Sequence, residues 1–179
     1  MSDAPAIARR LARLRVTLGF VFGTLVLWLA EPTSATIARG AAIAGGGEAL
    51  RIWAAGHLNK SREVTSSGPY RWLAHPLYVG SAIMGAGLAV ASGSVVAAVL
   101  IAAYLGATLT AAVKSEEAFL RRTFGDGYDR YRRAGAAGIV DEPRRFSLAQ
   151  AIANREHRAV VGLALAVLLL TLKATYRPE

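Results

Sequence analysis

The feature that most constrains this chain is a series of uncharged apolar runs, of which residues 95–113 form the purest. A helix needs roughly 20 apolar residues to cross the hydrocarbon core of a bilayer, and this run has that length. Hydrophobic residues make up 54% of the chain and its mean hydropathy is +0.36, a composition that is rare in a soluble domain. The sequence therefore predicts an all-α integral membrane protein.

Four further apolar runs have the pattern of membrane spans, and the residues between the runs are typical of helix ends. Pro32 separates the first two runs, and Pro76 is well placed for the first turn of the third. Ser92-Gly93-Ser94 is typical of a tight turn, which predicts an antiparallel third and fourth helix. We predict a polytopic helix bundle of about five spans that forms a single domain over residues 1–179. The predicted spans are residues 16–30, 33–58, 77–91, 95–113 and 159–173, the last of which could lie along the membrane interface instead.

The basic residues are concentrated in three segments that alternate with these runs. The chain carries 21 Lys and Arg against 12 Asp and Glu, a net charge of +9. Most of the Lys and Arg lie in the N-terminal segment, in the 57–76 loop and in residues 114–158. The positive-inside rule places these segments in the cytoplasm, where the last two would form a cap over the bundle. Because the charges cluster at the ends of apolar runs, we expect contact with the bilayer and none with nucleic acid.

Cysteine and histidine usage limits the chemistry that the chain can perform. The absence of cysteine excludes disulfides, thiolate metal sites and cysteine nucleophiles. The histidines at positions 57, 75 and 157 lack the spacing of a metal site, so no metal is predicted. The oligomeric state cannot be read from the sequence.

Two patches of aromatic, basic and acidic residues indicate a binding site at the cytoplasmic face. The first patch, residues 67–80, lies where the third helix starts, and the second, residues 115–131, follows the fourth span. An antiparallel pairing of the two helices would bring both patches to one pocket. Helix amides favour a carboxylate in such a pocket, carboxylate side chains favour a cation or sugar hydroxyls, and aromatic faces favour a base.

The order and spacing of these motifs resemble the membrane methyltransferase superfamily of isoprenylcysteine carboxyl methyltransferases and phospholipid N-methyltransferases. The resemblance covers about residues 48–133, and the residues after 133 have no match. The chain departs from the family at Ala74, where an arginine usually precedes the histidine. The motifs that carry the resemblance are Gly68-Pro69-Tyr70-Arg71, His75-Pro76, Tyr78-Val79-Gly80, Gly85-Ala86-Gly87, Glu116-Glu117 and Phe124-Gly125-Asp126-Gly127-Tyr128-Asp129-Arg130-Tyr131.

The resemblance implies an S-adenosylmethionine-dependent methyltransferase that takes its cofactor from the cytosol and a lipophilic acceptor from the bilayer. The acceptor would be an isoprenylcysteine-like carboxylate or another lipid-like small molecule. The protein would mainly align and desolvate the reactants, so no catalytic acid or base is assigned. The cofactor-binding residues implied are Tyr70, Arg71, His75, Pro76, Tyr78, Gly85, Gly87, Glu116 and Glu117.

Several of these residues also have an ordinary structural interpretation, and two other functions stay open. Gly85 and Gly87 suit close helix packing, and the tyrosines suit the aromatic belt of a membrane protein. Arg51 could pair with Glu48 inside the bundle or bind an acidic group of the acceptor. A sterol-reductase-like enzyme that uses NADPH and a non-enzymatic lipid-binding scaffold are the alternative functions.

Overall fold

The computed structural model describes residues 19–59, 65–124 and 145–176, and every regular element in these ranges is helical. The prediction of an all-α fold is therefore confirmed. Residues 125–144 of the charged 114–158 segment, including Tyr128 and Tyr131, lie outside the described residues. The elements are α1 (Gly19–Leu29), α2 (Ser34–His57), a short 3-10 helix (Gly68–Arg71), α3 (Pro76–Ser92), α4 (Val95–Phe124), α5 (Leu148–Ala153) and α6 (His157–Tyr176).

The long helices run back and forth between two ends of the bundle. At one end, Glu31 N–H donates to the Ser92 carbonyl at 2.6 Å, so the connection after α1 touches the end of α3. Lys173 near the end of α6 donates to the Leu27 carbonyl at 2.6 Å, and we call this the Lys173 end. At the opposite end, Ser147 N–H donates to the Gly56 carbonyl at 3.2 Å. This second end also contains the start of α3, and we call it the His75 end.

Helices α2 and α3 form the tightest helix pair, and glycines allow their close approach. A Cβ atom added at Gly47 would lie 2.6 Å from the carbonyl oxygen of Gly80, and one added at Gly87 would lie 2.4 Å from the backbone nitrogen of Ala44. Gly45 and Gly46 face open space. The glycine run in α2 therefore serves helix contact through Gly47 and leaves the helix continuous.

The predicted breaks between helices are confirmed, and the local chemistry explains each one. Thr33 caps α2 in a reciprocal arrangement with Thr36, which satisfies amides that the first turn leaves open. Pro76 occupies the first turn of α3, and Gly93 ends that helix in the left-handed region with φ of 64°. The apolar pattern does not predict α5, which at six residues is too short to show a periodicity.

Within the described residues, two helices are long and apolar enough to cross a membrane: α6 and the Val95–Thr123 portion of α4. Only 11% of the α4 window and 6% of the α6 window are buried, so neither helix is the covered core helix of a soluble fold. Exposed apolar faces on such helices are stable in lipid, and the chain is an integral membrane protein. The described part of α1 and helix α3 are shorter apolar helices. The count of five spans, the cap and the cytoplasmic orientation stay predictions.

Candidate functional site

A cavity of about 310 Å³ opens at the His75 end and collects most of the polar side chains that the motifs single out. A more open depression of about 500 Å³ lies at the Lys173 end, and none of the predicted site residues lines it. The smaller cavity is therefore the better candidate, because five separate helical elements bring polar groups to it. Its lining consists of Arg51, Ala55, Leu58, Tyr70, Ala74, His75, Pro76, Leu77, Tyr78, Glu116, Asn154, Arg155, Glu156, Arg158 and Ala159.

His75 lies between the two adjacent glutamates of α4. Its Nε2 is 3.3 Å from Glu117 Oε1, within hydrogen-bond distance, and its Nδ1 is 3.7 Å from Glu116 Oε2. The Tyr78 hydroxyl lies near the Glu116 carboxylate, and both residues line the cavity. Glu116 thus forms part of the cavity wall beside His75 and Tyr78, and Glu117 contacts the same histidine without being part of that wall.

The local fold explains why these side chains meet. His75 precedes the first turn of α3 and Tyr78 lies three residues later, so their rings share one face with centroids 5.8 Å apart. The tight turn at residues 92–94 folds α4 back along α3, which brings Glu116 to the start of α3. The 3-10 helix before α3 buries Tyr70 beside the cavity. The predicted meeting of the two sequence patches is present among the described residues.

A second charged cluster surrounds Arg51 on α2. Its Nε is 2.6 Å from Glu156 Oε1 and 3.6 Å from Glu48 Oε2. Its Nη1 donates to the Leu77 carbonyl at 3.4 Å and to the Ser81 hydroxyl. The predicted Glu48–Arg51 pair therefore exists, but its strongest member is Glu156, which the sequence interpretation did not include.

The segment after residue 145 closes this end of the bundle and supplies cavity residues that no motif indicated. Asn154 Nδ2 donates to the Ala55 and Leu58 carbonyls at 2.8 and 2.9 Å, and Gln150 Nε2 donates to the Leu58 carbonyl at 3.1 Å. These bonds satisfy carbonyls that the last turn of α2 leaves open. One signal could have found the segment: a charged Arg51 inside an apolar helix requires a partner, and Glu48 alone is a poor one.

The remaining predicted site residues lie elsewhere. Arg71 is exposed on the 3-10 helix and does not line the cavity. A Cβ atom at Gly85 would lie 1.9 Å from Leu105 Cδ1, and Gly87 packs on α2, so helix packing accounts for both glycines. Their contact with a cofactor stays a prediction. Ala74 lines the cavity together with Arg155 and Arg158, so the cavity contains guanidinium groups although position 74 supplies none.

Comparisons with known proteins match the part of the chain that contains most of this site. The family model of phospholipid methyltransferases matches residues 47–127. A protein-S-isoprenylcysteine O-methyltransferase of Schizosaccharomyces pombe is 31% identical over 101 residues, which cover 56% of this chain and 43% of that protein. The nickel-cobalt-cadmium resistance protein NccN of Alcaligenes xylosoxydans xylosoxydans is 33% identical over 88 residues, covering 48% of this chain and 41% of that protein. No solved structure gives a significant match.

The chain thus spans about two fifths of the length of these curated relatives. The matched region contains His75, Tyr78, Glu116 and Glu117, and it ends before Glu156. The resemblance predicted from the motifs is confirmed over this core.

Proposed function

We propose that this protein, whose core is that of the isoprenylcysteine carboxyl and phospholipid methyltransferase superfamily, is an S-adenosylmethionine-dependent methyltransferase that acts on a lipophilic acceptor. The observation that carries the proposal is the group of His75, Tyr78 and Glu116 on one cavity wall, facing a cavity that Arg51 also lines. The site binds its cofactor from the cytoplasmic side and its acceptor from the bilayer.

The side chains around the cavity fit the functional groups of this cofactor. The Glu116 carboxylate can accept hydrogen bonds from ribose hydroxyls or an ammonium group, and the rings of Tyr70 and Tyr78 can contact the base. The guanidinium groups of Arg155 and Arg158 can pair with a carboxylate. When bound, the cofactor supplies an activated methyl group, so the chain itself has to orient both reactants and exclude water.

The acceptor that the cavity favours is a carboxylate attached to an apolar chain. A carboxylate can be methylated without losing a proton, so it requires no general base. Arg51 can donate to such a group, and Leu58 and Leu77 supply an apolar lining beside it. The name of the fission yeast relative, an isoprenylcysteine O-methyltransferase, supports the same acceptor class.

The test is titration calorimetry of the detergent-purified chain with S-adenosylmethionine and S-adenosylhomocysteine. We expect saturable binding that Glu116→Ala weakens at least about 100-fold, because two hydrogen-bonded functions of the ligand lose their partner. Lys114→Ala is the matched control, since Lys114 is exposed on the same helix and does not line the cavity.

Two results would contradict the proposal. A folded wild-type protein that binds neither compound excludes S-adenosylmethionine as cofactor, and binding of NADPH in its place would support the reductase-like alternative. Equal binding by the wild-type protein and the Glu116→Ala variant would separate cofactor binding from this cavity.

A further inference from the structure

Glu156 is a buried carboxylate at the cavity that the proposed methyl transfer does not itself require. Only 6% of the residue is exposed, and it lies beyond the region that the family model matches. A buried carboxylate is costly unless it is paired, so its position beside Arg51 requires a physical explanation.

The contacts of Arg51 show what Glu156 does. Glu156 accepts the Nε hydrogen bond at 2.6 Å, and the backbone and hydroxyl oxygens of Leu77 and Ser81 accept from Nη1. Over the described ranges, Nη2 of Arg51 has no hydrogen-bond partner. Because a guanidinium group is planar, fixing Nε and Nη1 also fixes the direction in which Nη2 can donate.

The two glutamates beside Arg51 contribute unequally to its orientation. Glu48 and Glu156 place two carboxyl groups beside one guanidinium group, and only Glu156 is hydrogen-bonded to it. Both oxygens of Glu48 lack hydrogen-bond partners within the described part of the chain, and its nearer oxygen is 3.6 Å from Nε. Glu156 alone makes the short, directional bond, and a bond of this kind is the one that orients a donor.

The position of Glu156 is itself fixed by the short helix α5. Ser147 caps α5 by accepting from Gln150 N–H, and Glu156 N–H donates to the Ala151 carbonyl at 3.1 Å. Asn154 binds the last carbonyls of α2, the helix that carries Arg51. The segment from 147 to 156 therefore holds Glu156 in register with Arg51.

We propose that Glu156 is a positioning residue for the acceptor: it orients Arg51 so that Nη2 donates to the carboxylate that receives the methyl group. The inference rests on the proposed function and adds a part of the site that lies outside the family core. It assigns the segment around α5 to acceptor binding, and it assigns Glu156 no contact with the cofactor.

The test compares three substitutions by their binding of an S-farnesylated N-acetylcysteine in the presence of S-adenosylhomocysteine. Glu156→Gln keeps an oxygen at the same reach, so we expect acceptor affinity within about threefold of wild type. Glu156→Asp keeps the charge but is one methylene shorter, and Glu156→Ala removes the acceptor atom. We expect both to weaken acceptor binding about tenfold or more, with S-adenosylhomocysteine affinity changed less than about twofold.

Controls separate this inference from the proposed function and from misfolding. Glu31→Gln alters a carboxylate at the Lys173 end, and we expect it to leave acceptor affinity unchanged. Thermal unfolding in detergent shows whether each variant folds; should Glu156→Ala fail to fold, the Asp and Gln pair still decides the question. Wild-type binding of S-adenosylhomocysteine without binding of the prenylcysteine, or equal acceptor affinity in the Gln and Asp variants, would overturn the inference. Absence of S-adenosylhomocysteine binding in the folded wild type would instead overturn the proposed function.

Discussion

The two ends of the helix bundle use their polar residues in different ways. At the Lys173 end, polar groups satisfy the backbone: Lys173 donates to the last carbonyls of α1, and Thr33 caps the first turn of α2. At the His75 end, polar and charged side chains contact one another. His75 meets Glu116 and Glu117, and Arg51 meets Glu156.

This difference supports the proposal that the His75 end binds a ligand, whereas the polar groups at the Lys173 end stabilise the fold. A side chain that caps a helix is fully used by the backbone and has little capacity for a ligand. Charges that pair across a cavity are costly to bury and contribute little net stability, so a ligand that they recognise is the better explanation for them. The depression at the Lys173 end is larger, yet its one lysine already binds two backbone carbonyls.

The largest effect is expected when one polar side chain is removed from each end. His75→Ala removes a residue of the cavity wall and releases both glutamates that it contacts, so S-adenosylhomocysteine affinity should fall about 100-fold. Lys173→Ala should lower thermal stability by about 1 kcal/mol, because two carbonyls lose a charged donor, and should leave this affinity unchanged. Calorimetry and thermal unfolding on the same samples measure both quantities. A loss of affinity in Lys173→Ala would show that the ends are not separate in function.

Substitutions in the α2–α3 contact, which lies between the two ends, should have a smaller and purely structural effect. Gly47→Ala places a Cβ atom 2.6 Å from the Gly80 carbonyl oxygen and should destabilise the protein by about 1–3 kcal/mol. Gly46→Ala, its neighbour in open space, should instead stabilise α2 by up to about 1 kcal/mol. Thermal unfolding of the two variants measures this difference in stability. Equal stability in both would contradict the α2–α3 contact.

Features that depend on neighbouring residues could be predicted from the sequence. Pro76 favours the start of a helix because its ring fixes φ, and Gly93 ends the same helix because glycine readily adopts the left-handed region. Both effects are local and do not depend on the rest of the chain. The meeting of His75 with Glu116 follows from the turn at residues 92–94, since an antiparallel pair brings the start of one helix to the end of the next.

Features set by distant parts of the chain could not be predicted. Glu156 lies 105 residues from Arg51, and nothing in the short polar stretch around it distinguishes it from a solvated glutamate. The role of Gly47 depends on the register between α2 and α3, which both helix surfaces determine together. Gly85 and Gly87 were open to two interpretations for the same reason, because a glycine motif specifies close approach without specifying what approaches.

The smallest effect, and the sharpest comparison of the two ends, comes from removing one helix cap at each. Thr33→Ala and Ser147→Ala each delete a side-chain oxygen that accepts from the first turn of a helix, α2 and α5 respectively. Both should lower the free energy of unfolding by about 1 kcal/mol or less.

The effects of the two substitutions on acceptor binding should differ, because α5 sets the position of Glu156 and the cap of α2 lies at the opposite end. We expect Ser147→Ala to weaken binding of the S-farnesylated N-acetylcysteine by about three- to fivefold and Thr33→Ala to leave it unchanged. Equal acceptor affinity in the two variants would mean that α5 stabilises the His75 end without orienting its arginine, and the two ends would then differ only in the charges they contain.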